Sequence, residues 1–285
     1  MRLAFFAFVL ASSAALAQQP PIKLNGLKPQ NQKPVQLTPP DQLFKKDEKK
    51  IFFFAKLLNT SKEYETYLQF VEKAQLFQHA IDTANGLVTF DKPLPVIFEE
   101  CGKPSAHYSP DTGTITVCSE MVKLIDQVQT KAGLDAEATK SAIQGALYFI
   151  FFHELGHALV HRLELPVTGR EEDVVDQFAT LLLMEQGEEG MQAALQGAAF
   201  FMGLGDLRKS FVFWDEHSLD QQRFYNIACW IYGASPFAHV NLVASQILPK
   251  DRAARCGNEF AQMHRSWKTI ADPKLKRPLL DRVKR

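Results

Sequence analysis

The chain has 285 residues, 46% of them hydrophobic, enough to bury a sizeable core and to form one domain. Its 32 basic and 32 acidic residues cancel, so the overall charge does not point to nucleic acid or an anionic membrane surface as partner.

Met1-Arg2, the apolar run Leu3 to Leu10 and the small-residue site Ala15-Leu16-Ala17 predict a secretory signal over residues 1–17, with the mature chain starting near Gln18. No later segment reaches the roughly 20 apolar residues of a membrane span. The expected product is therefore secreted or periplasmic, with no integral membrane segment. Residues 18–40, rich in Pro and Gln, read as an extended linker, and the folded domain as 41–285. From Asp41 to about Ala84, apolar residues at helical spacing predict one or two amphipathic helices, ended by Asn85-Gly86.

A β-like block follows: Leu87 to Phe90, Leu94 to Phe98, and a hairpin from Ala106 to Cys118 turning at Pro110-Asp111-Thr112-Gly113. In an exported chain the even set Cys101, Cys118, Cys229 and Cys256 reads as two disulfides, with three connectivities possible. The hairpin favours Cys101 with Cys118, leaving Cys229 with Cys256. Asp135 is placed to cap a long helix that runs to about Leu163 and stops before Pro166. Thr168-Gly169-Arg170-Glu171 has the form of a capping box and predicts a further helix reaching about Glu185. The aromatic stretch Phe200, Phe201, Phe211, Phe213 and Trp214 reads as core, and the basic residues from Lys274 to Arg285 as a solvated end. The fold class expected is α+β: a small sheet carrying the hairpin, packed on the long helix, with a mostly helical second half.

That long helix carries His153-Glu154-Leu155-Gly156-His157. At about 3.6 residues per turn the two imidazoles share one face, one turn apart, and both can reach one ion. Glu154 lies beside the first His, where its carboxylate can take a proton from a metal-bound water. Three fixed residues in five positions occur by chance in roughly one chain in a hundred of this length. Here the flanking Ile150, Phe151, Phe152, Ala158 and Leu159 are all apolar, as a buried metal helix requires. A catalytic zinc takes a third protein ligand and leaves one position for water. Glu172 and Asp176 lie one turn apart at the start of the next helix, so Glu172 is assigned as ligand and Asp176 as the acceptor of a ligating histidine's spare N–H. Asp173 is the other ligand candidate, and Glu171 is assigned to the capping box. His161 shares the His157 face but is not needed as a ligand.

This pattern, His153-Glu-x-x-His157 followed by Glu172-x-x-x-Asp176-x-x-Ala179, resembles that of the gluzincins, the thermolysin-like and related zinc peptidases. The gap from His157 to Glu172 is shorter than in the thermolysin-like enzymes. The wider stretch is similar to a family of exported bacterial proteins classed as metallopeptidases, one without an assigned substrate. It shares Glu100-Cys101-Gly102, Tyr108, Cys118, Leu165-Pro166, Gly169-Arg170-Glu171-Glu172-Asp173 and Asp220-Gln221-Gln222-Arg223-Phe224-Tyr225. The resemblance implies a zincin-like fold, a zinc cofactor (Zn2+) held by His153, His157 and Glu172, and hydrolysis of a peptide or protein substrate. Glu154 is then the general base. For the oxyanion, His217, Arg223 and Tyr225 are candidates, His217 first. The rival expectation is a catalytically inactive, metal-stabilised binding domain of the cell envelope, and a third is a zinc hydrolase acting on another bond.

Overall fold

The computed structural model describes residues 52–55, 61–208 and 210–279. The signal and linker expected over 1–17 and 18–40 lie outside them, as does the stretch from Asp41 to Ile51. The architecture is α+β and mostly helical. In chain order the elements are β1 (Phe52–Ala55), α1 (Glu65–Lys73), α2 (Leu76–Leu87), β2 (Leu94–Glu99), β3 (Ala106–Ser109) and β4 (Thr114–Cys118). Then come α3 (Ser119–Lys131), α4 (Ala136–Arg162), α5 (Glu171–Met184), α6 (Gly187–Leu207), α7 (Asp220–Ala234), the short α8 (Val240–Ala244), α9 (Lys250–Ile270) and a 3-10 turn at Asp272–Lys274.

The four strands form one sheet in the order β1-β2-β4-β3. β1 pairs parallel with β2, β2 pairs parallel with β4, and β3 returns antiparallel on β4 as a free edge. The helical reading from Asp41 to about Ala84 is therefore corrected at Phe52–Ala55, which is a strand. A run of four apolar residues reads equally well at either period, and parallel pairing with β2 decides it. The strand expected at Leu87 to Phe90 does not form: Leu87 closes α2, and its carbonyl accepts the backbone N–H of Lys276 at 2.9 Å. Asn85-Gly86 lie inside the last turn of α2 rather than ending it.

The hairpin forms as read, and the disulfide Cys101–Cys118 joins its two ends. The second disulfide, Cys229–Cys256, ties α7 to α9. Among the described residues no helix is long and apolar enough to cross a membrane.

Asp135 caps α4, its carboxylate accepting the N–H of Ala138 at 2.9 Å. The helix then runs through the middle of the molecule, buried from Ala138 to Gly156 except at Lys140. An aromatic chain carries packing from the sheet to this helix: Phe98 of β2 against Phe77 of α2 at 5.8 Å, and Phe77 against Phe151 of α4 at 6.0 Å. Each such buried ring contributes about 1.5–3 kcal/mol relative to exposure, which holds the metal-motif helix at a fixed depth below the sheet edge.

At its far end Arg162 donates to the carbonyls of Lys92 and Gly113 at 2.7 and 2.9 Å, pinning the hairpin turn to α4. The basic end is a clamp over part of its length rather than a solvated tail. Lys276 Nζ reaches Asn85 O at 2.8 Å, and Arg277 pairs with the buried Glu185 at 2.7 Å. The aromatic stretch divides: Phe200 and Phe201 are core residues of α6, while Phe211, Phe213 and Trp214 are exposed.

Candidate metal centre

Gly156 sets the geometry. A Cβ at that position would come within 2.8 Å of Val175 Cβ and 3.2 Å of a Phe178 ring carbon, so α5 packs against α4 only because glycine stands there. This close approach carries the first turn of α5 across the His153–His157 face, and the connection from Leu163 to Arg170 is long enough to allow it. Glu171 is the first residue of α5, and Arg170 is the N-cap without a side-chain cap. The capping box read at Thr168 is thus corrected: Thr168 lies ahead of the cap position, and the Glu171 carboxylate turns instead to Nδ1 of His157, 2.7 Å away.

Three histidines meet the Glu172 carboxylate. Its Oε2 lies 3.1 Å from His153 Nε2 and 3.1 Å from His217 Nε2, and its Oε1 lies 3.3 Å from His157 Nε2. The two helix imidazoles face each other, Nε2 to Nε2, at 3.3 Å. Each ring also has a carboxylate on its other nitrogen. His153 Nδ1 is 2.8 Å from Asp176, His157 Nδ1 is 2.7 Å from Glu171, and His217 Nδ1 is 2.9 Å from Asp215. A ring whose Nδ1–H donates to a carboxylate presents its Nε2 lone pair on the opposite side.

These residues fit a divalent cation. A tetrahedral ion with bonds of about 2.0–2.1 Å separates its ligand atoms by about 3.3 Å, close to the 3.3 Å between the two helix imidazoles and the 3.1 Å from Glu172 Oε2 to His153 and to His217, while His157 meets the other oxygen, Oε1. Glu172 Oε2 is buried and makes no hydrogen bond despite its two close imidazole neighbours, the arrangement of a ligand atom rather than of a hydrogen-bond acceptor.

The electrostatics are strongly coupled. Burial opposes ionisation of His153, but the carboxylates of Asp176 and Glu172 prevail and raise it to about 9. Burial likewise disfavours the Asp176 anion, and Arg223, then His153, override it and bring the carboxyl down to about 2. Glu172 is held far below the ordinary carboxylate range, its burial outweighed by the imidazoles of His153, His157 and His217.

Behind the site, Arg223 of α7 is buried and grips Asp176 with two donors, Nε at 2.8 Å and Nη2 at 2.7 Å, while its guanidinium lies over the Phe201 ring at 3.7 Å. The sequence motif held no signal for that pairing. On the other side, Glu154 is buried and its Oε2 accepts the backbone N–H of Tyr108 at 2.8 Å, so the free edge of β3 faces Glu154. Tyr108 Oη also lies 2.9 Å from His161 Nδ1, which fixes the strand to the same helix.

A cleft of about 570 Å³ opens over these groups, walled by Ala106 to Tyr108 and Pro110 on one side and by Arg170 to Glu172 and Asp215 to His217 on the other. Among the three oxyanion candidates only His217 lines it. Arg223 is spent on Asp176, and Tyr225 lines a separate pocket with Gln222 and Asn226. Asp173, the other ligand candidate, accepts the Ser218 hydroxyl at 2.7 Å and so ties the His217 segment to α5. As partners of the imidazoles, Glu171 and Asp215 escaped the sequence reading, which assigns Glu171 to a capping box. Each stands close in sequence to a site residue, Glu171 beside Glu172 and Asp215 two residues before His217, but their ring partners are set by the fold.

One domain family matches residues 58–271, a span that includes every element from α1 to α9 and the whole cleft; its description is "Putative metallopeptidase". The chain belongs to this family. No curated protein and no solved structure matches it. For a member of a metallopeptidase family, a cleft in which three histidines and a carboxylate converge beside a buried glutamate is the part of the molecule that accords with the class.

Proposed function

We propose that the protein is a zinc-dependent peptidase of zincin type, exported from the cytoplasm, with His153, His157 and Glu172 as metal ligands. The observation that carries the reading is the convergence of His153 Nε2, His157 Nε2 and the Glu172 carboxylate at 3.1–3.3 Å, with the Glu154 carboxylate beside them. Bound there, zinc would lower the pKa of a water ligand towards about 7 and polarise a carbonyl oxygen. Glu154 takes the water's proton at its carboxylate and delivers it to the leaving amine. Asp176 and Glu171 hold the two helix imidazoles in the tautomer that points Nε2 at the cation.

His217, paired with Asp215 at Nδ1 and favoured in its protonated form by the Glu172 carboxylate, donates from Nε2 as an imidazolium to the oxygen that gains negative charge. An extended substrate lies along the free edge of β3, pairing with its backbone groups other than the Tyr108 N–H, which Glu154 holds. Soluble export agrees with the two disulfides.

One observation favours a second reading. His217 Nε2 stands as close to Glu172 Oε2 as His153 Nε2 does, and His153, Glu172 and His217 can each turn one ligand atom to a common point; with His157 as a fourth ligand the cation would have no open position and the domain would be a metal-stabilised, inactive binding module.

The two are separated by zinc content and cleavage of unfolded casein for the parent, Glu154→Gln and Glu172→Ala. The peptidase reading expects one zinc and cleavage in the parent, zinc without cleavage in Glu154→Gln, and loss of zinc in Glu172→Ala. A parent that holds zinc, cleaves neither amide nor ester substrates and is unaffected by Glu154→Gln would establish the binding module. Cleavage of esters alone would make it a hydrolase of another bond.

A further inference from the structure

Six large hydrophobic side chains are exposed among the described residues; Leu207 is the last residue of α6, and three more, Phe211, Phe213 and Trp214, fall in the connection from α6 to α7. Trp214 is 86% exposed, Phe213 70% and Phe211 61%. Scattered apolar residues on a surface need no explanation, but aromatic side chains gathered on one loop do.

The segment is pinned where it leaves and re-enters the helices. Arg208 pairs with Asp220 at 3.1 Å, and Ser218 Oγ donates to Asp173 at 2.7 Å. Within it Phe211 and Phe213 pack against each other, centroids 5.9 Å apart. The same segment continues directly into Asp215, Glu216 and His217, which form one wall of the cleft. The chain leading into that wall thus carries three exposed aromatic side chains within four residues of it.

We infer that Phe211, Phe213 and Trp214 form a docking surface for the substrate polypeptide itself, an unfolded segment carrying apolar side chains, held beside the cleft while its backbone runs along β3. The inference rests on the peptidase reading for the identity of the occupant. It makes unfolded protein, rather than short polar peptides, the substrate class. An extended chain exposes apolar residues that a folded one buries, and aromatic rings bind such residues with little demand on sequence.

The test uses the exposed tryptophan, because Trp230 and Trp267 are buried at 6% and 1% exposure. The full chain carrying Glu154→Gln is titrated with reduced, carboxymethylated ribonuclease A, an unfolded chain without tryptophan, then with a Gly/Ser-rich peptide and with phosphatidylglycerol vesicles. A saturable blue shift in emission with the unfolded chain alone is expected. By anisotropy of the labelled unfolded chain, Phe211→Ser/Phe213→Ser/Trp214→Ser should bind about tenfold more weakly. In the cleaving parent background the same triple change should raise KM for casein by about tenfold and leave kcat within about twofold. Unchanged affinity and KM in the triple variant, no binding at all, or a shift with vesicles alone would overturn the inference, the last making the surface a membrane contact. Binding by Glu154→Gln that the triple variant loses, in a parent that cleaves nothing, would keep the surface and remove the peptidase reading. Cleavage at the parent's KM by the triple variant would do the reverse.

Discussion

Gly156 of α4 and Val175 of α5 touch at a distance that no side chain on residue 156 could share: an added Cβ would stand 2.8 Å from Val175 Cβ. The atom met is the branch point of a buried residue, not a flexible tip. Gly156→Ala should therefore push α5 away from α4 and cost about 1–3 kcal/mol of stability. Because α5 carries Glu172 and Asp176, the same change should weaken zinc binding more than a surface substitution of equal destabilising effect. Urea unfolding of the metal-free protein, set against zinc affinity by competition with a chelating dye, measures the two effects separately.

The buried pair of Arg223 and Asp176 leads to a second expectation. Removing one partner strands the other charge away from water, a loss of about 3–5 kcal/mol for pairs of this kind. Asp176→Asn should show that loss at pH 7. In the parent the Asp176 contribution has a defined pH window. Its carboxyl is depressed to about 2 from an ordinary 3.8, so the contribution is complete above about 4 and disappears as pH falls through 2. Asp176→Asn should thus differ most from the parent near neutrality and converge with it in strong acid, as read by unfolding midpoints across that range.

Metal-free protein should also be pH-sensitive at the alkaline end. His153 is raised to about 9 from an ordinary 6.5, so its protonated form stabilises the fold, fully below 6.5, and that contribution is lost as pH rises through 9. The shift corresponds to about 3 kcal/mol as an order of magnitude. Zinc and the proton compete for Nε2, so zinc affinity should change in the opposite sense, rising with pH by at most about tenfold per unit for each proton released until about 9. Unfolding of the chelated protein and dye competition for zinc, each at pH 6, 7.5 and 9, should move in opposite directions; parallel movement would contradict the geometry at His153.

Much of this site was legible because it is local. Asp135 as a cap, the two histidines one turn apart and the acids opening α5 all depend on spacing along a helix, and the fold leaves those spacings intact. The hairpin and the Cys101–Cys118 bridge share that local character. What escaped is what the chain brings together from afar. Arg223 meets Asp176 from another helix, and Tyr108 offers its N–H to Glu154 only because the sheet edge lies over α4. The strand at Phe52–Ala55 was hidden for a different reason: its neighbours happened to supply apolar residues at helical spacing, and only pairing with Leu94 to Ile97 separates the alternatives. At Thr168 a motif of correct form was outvoted, because Glu171 has a stronger partner in His157 than in a backbone N–H.

His217 is the residue on which the two proposed readings divide. It reaches Glu172 Oε2 from a loop outside the metal helices, with Asp215 on its far nitrogen and a half-exposed ring stacked over His153 at 6.4 Å. A ring in that position either fills the cation's last coordination site or donates to charge forming on a bound substrate. The loop origin and the exposure favour donation, since the proposed ligands His153, His157 and Glu172 all come from the packed pair α4 and α5. His217→Ala should then keep its zinc, leave KM nearly unchanged and lower kcat about a hundredfold to a thousandfold, the usual loss when one oxyanion donor is removed. Asp215→Asn should fall in the same direction by less, because the ring keeps its place and loses only its orienting charge. Zinc measured by mass spectrometry on the purified variant, alongside kcat on casein, decides the matter: a His217→Ala protein that comes out without zinc makes His217 a ligand and closes the site.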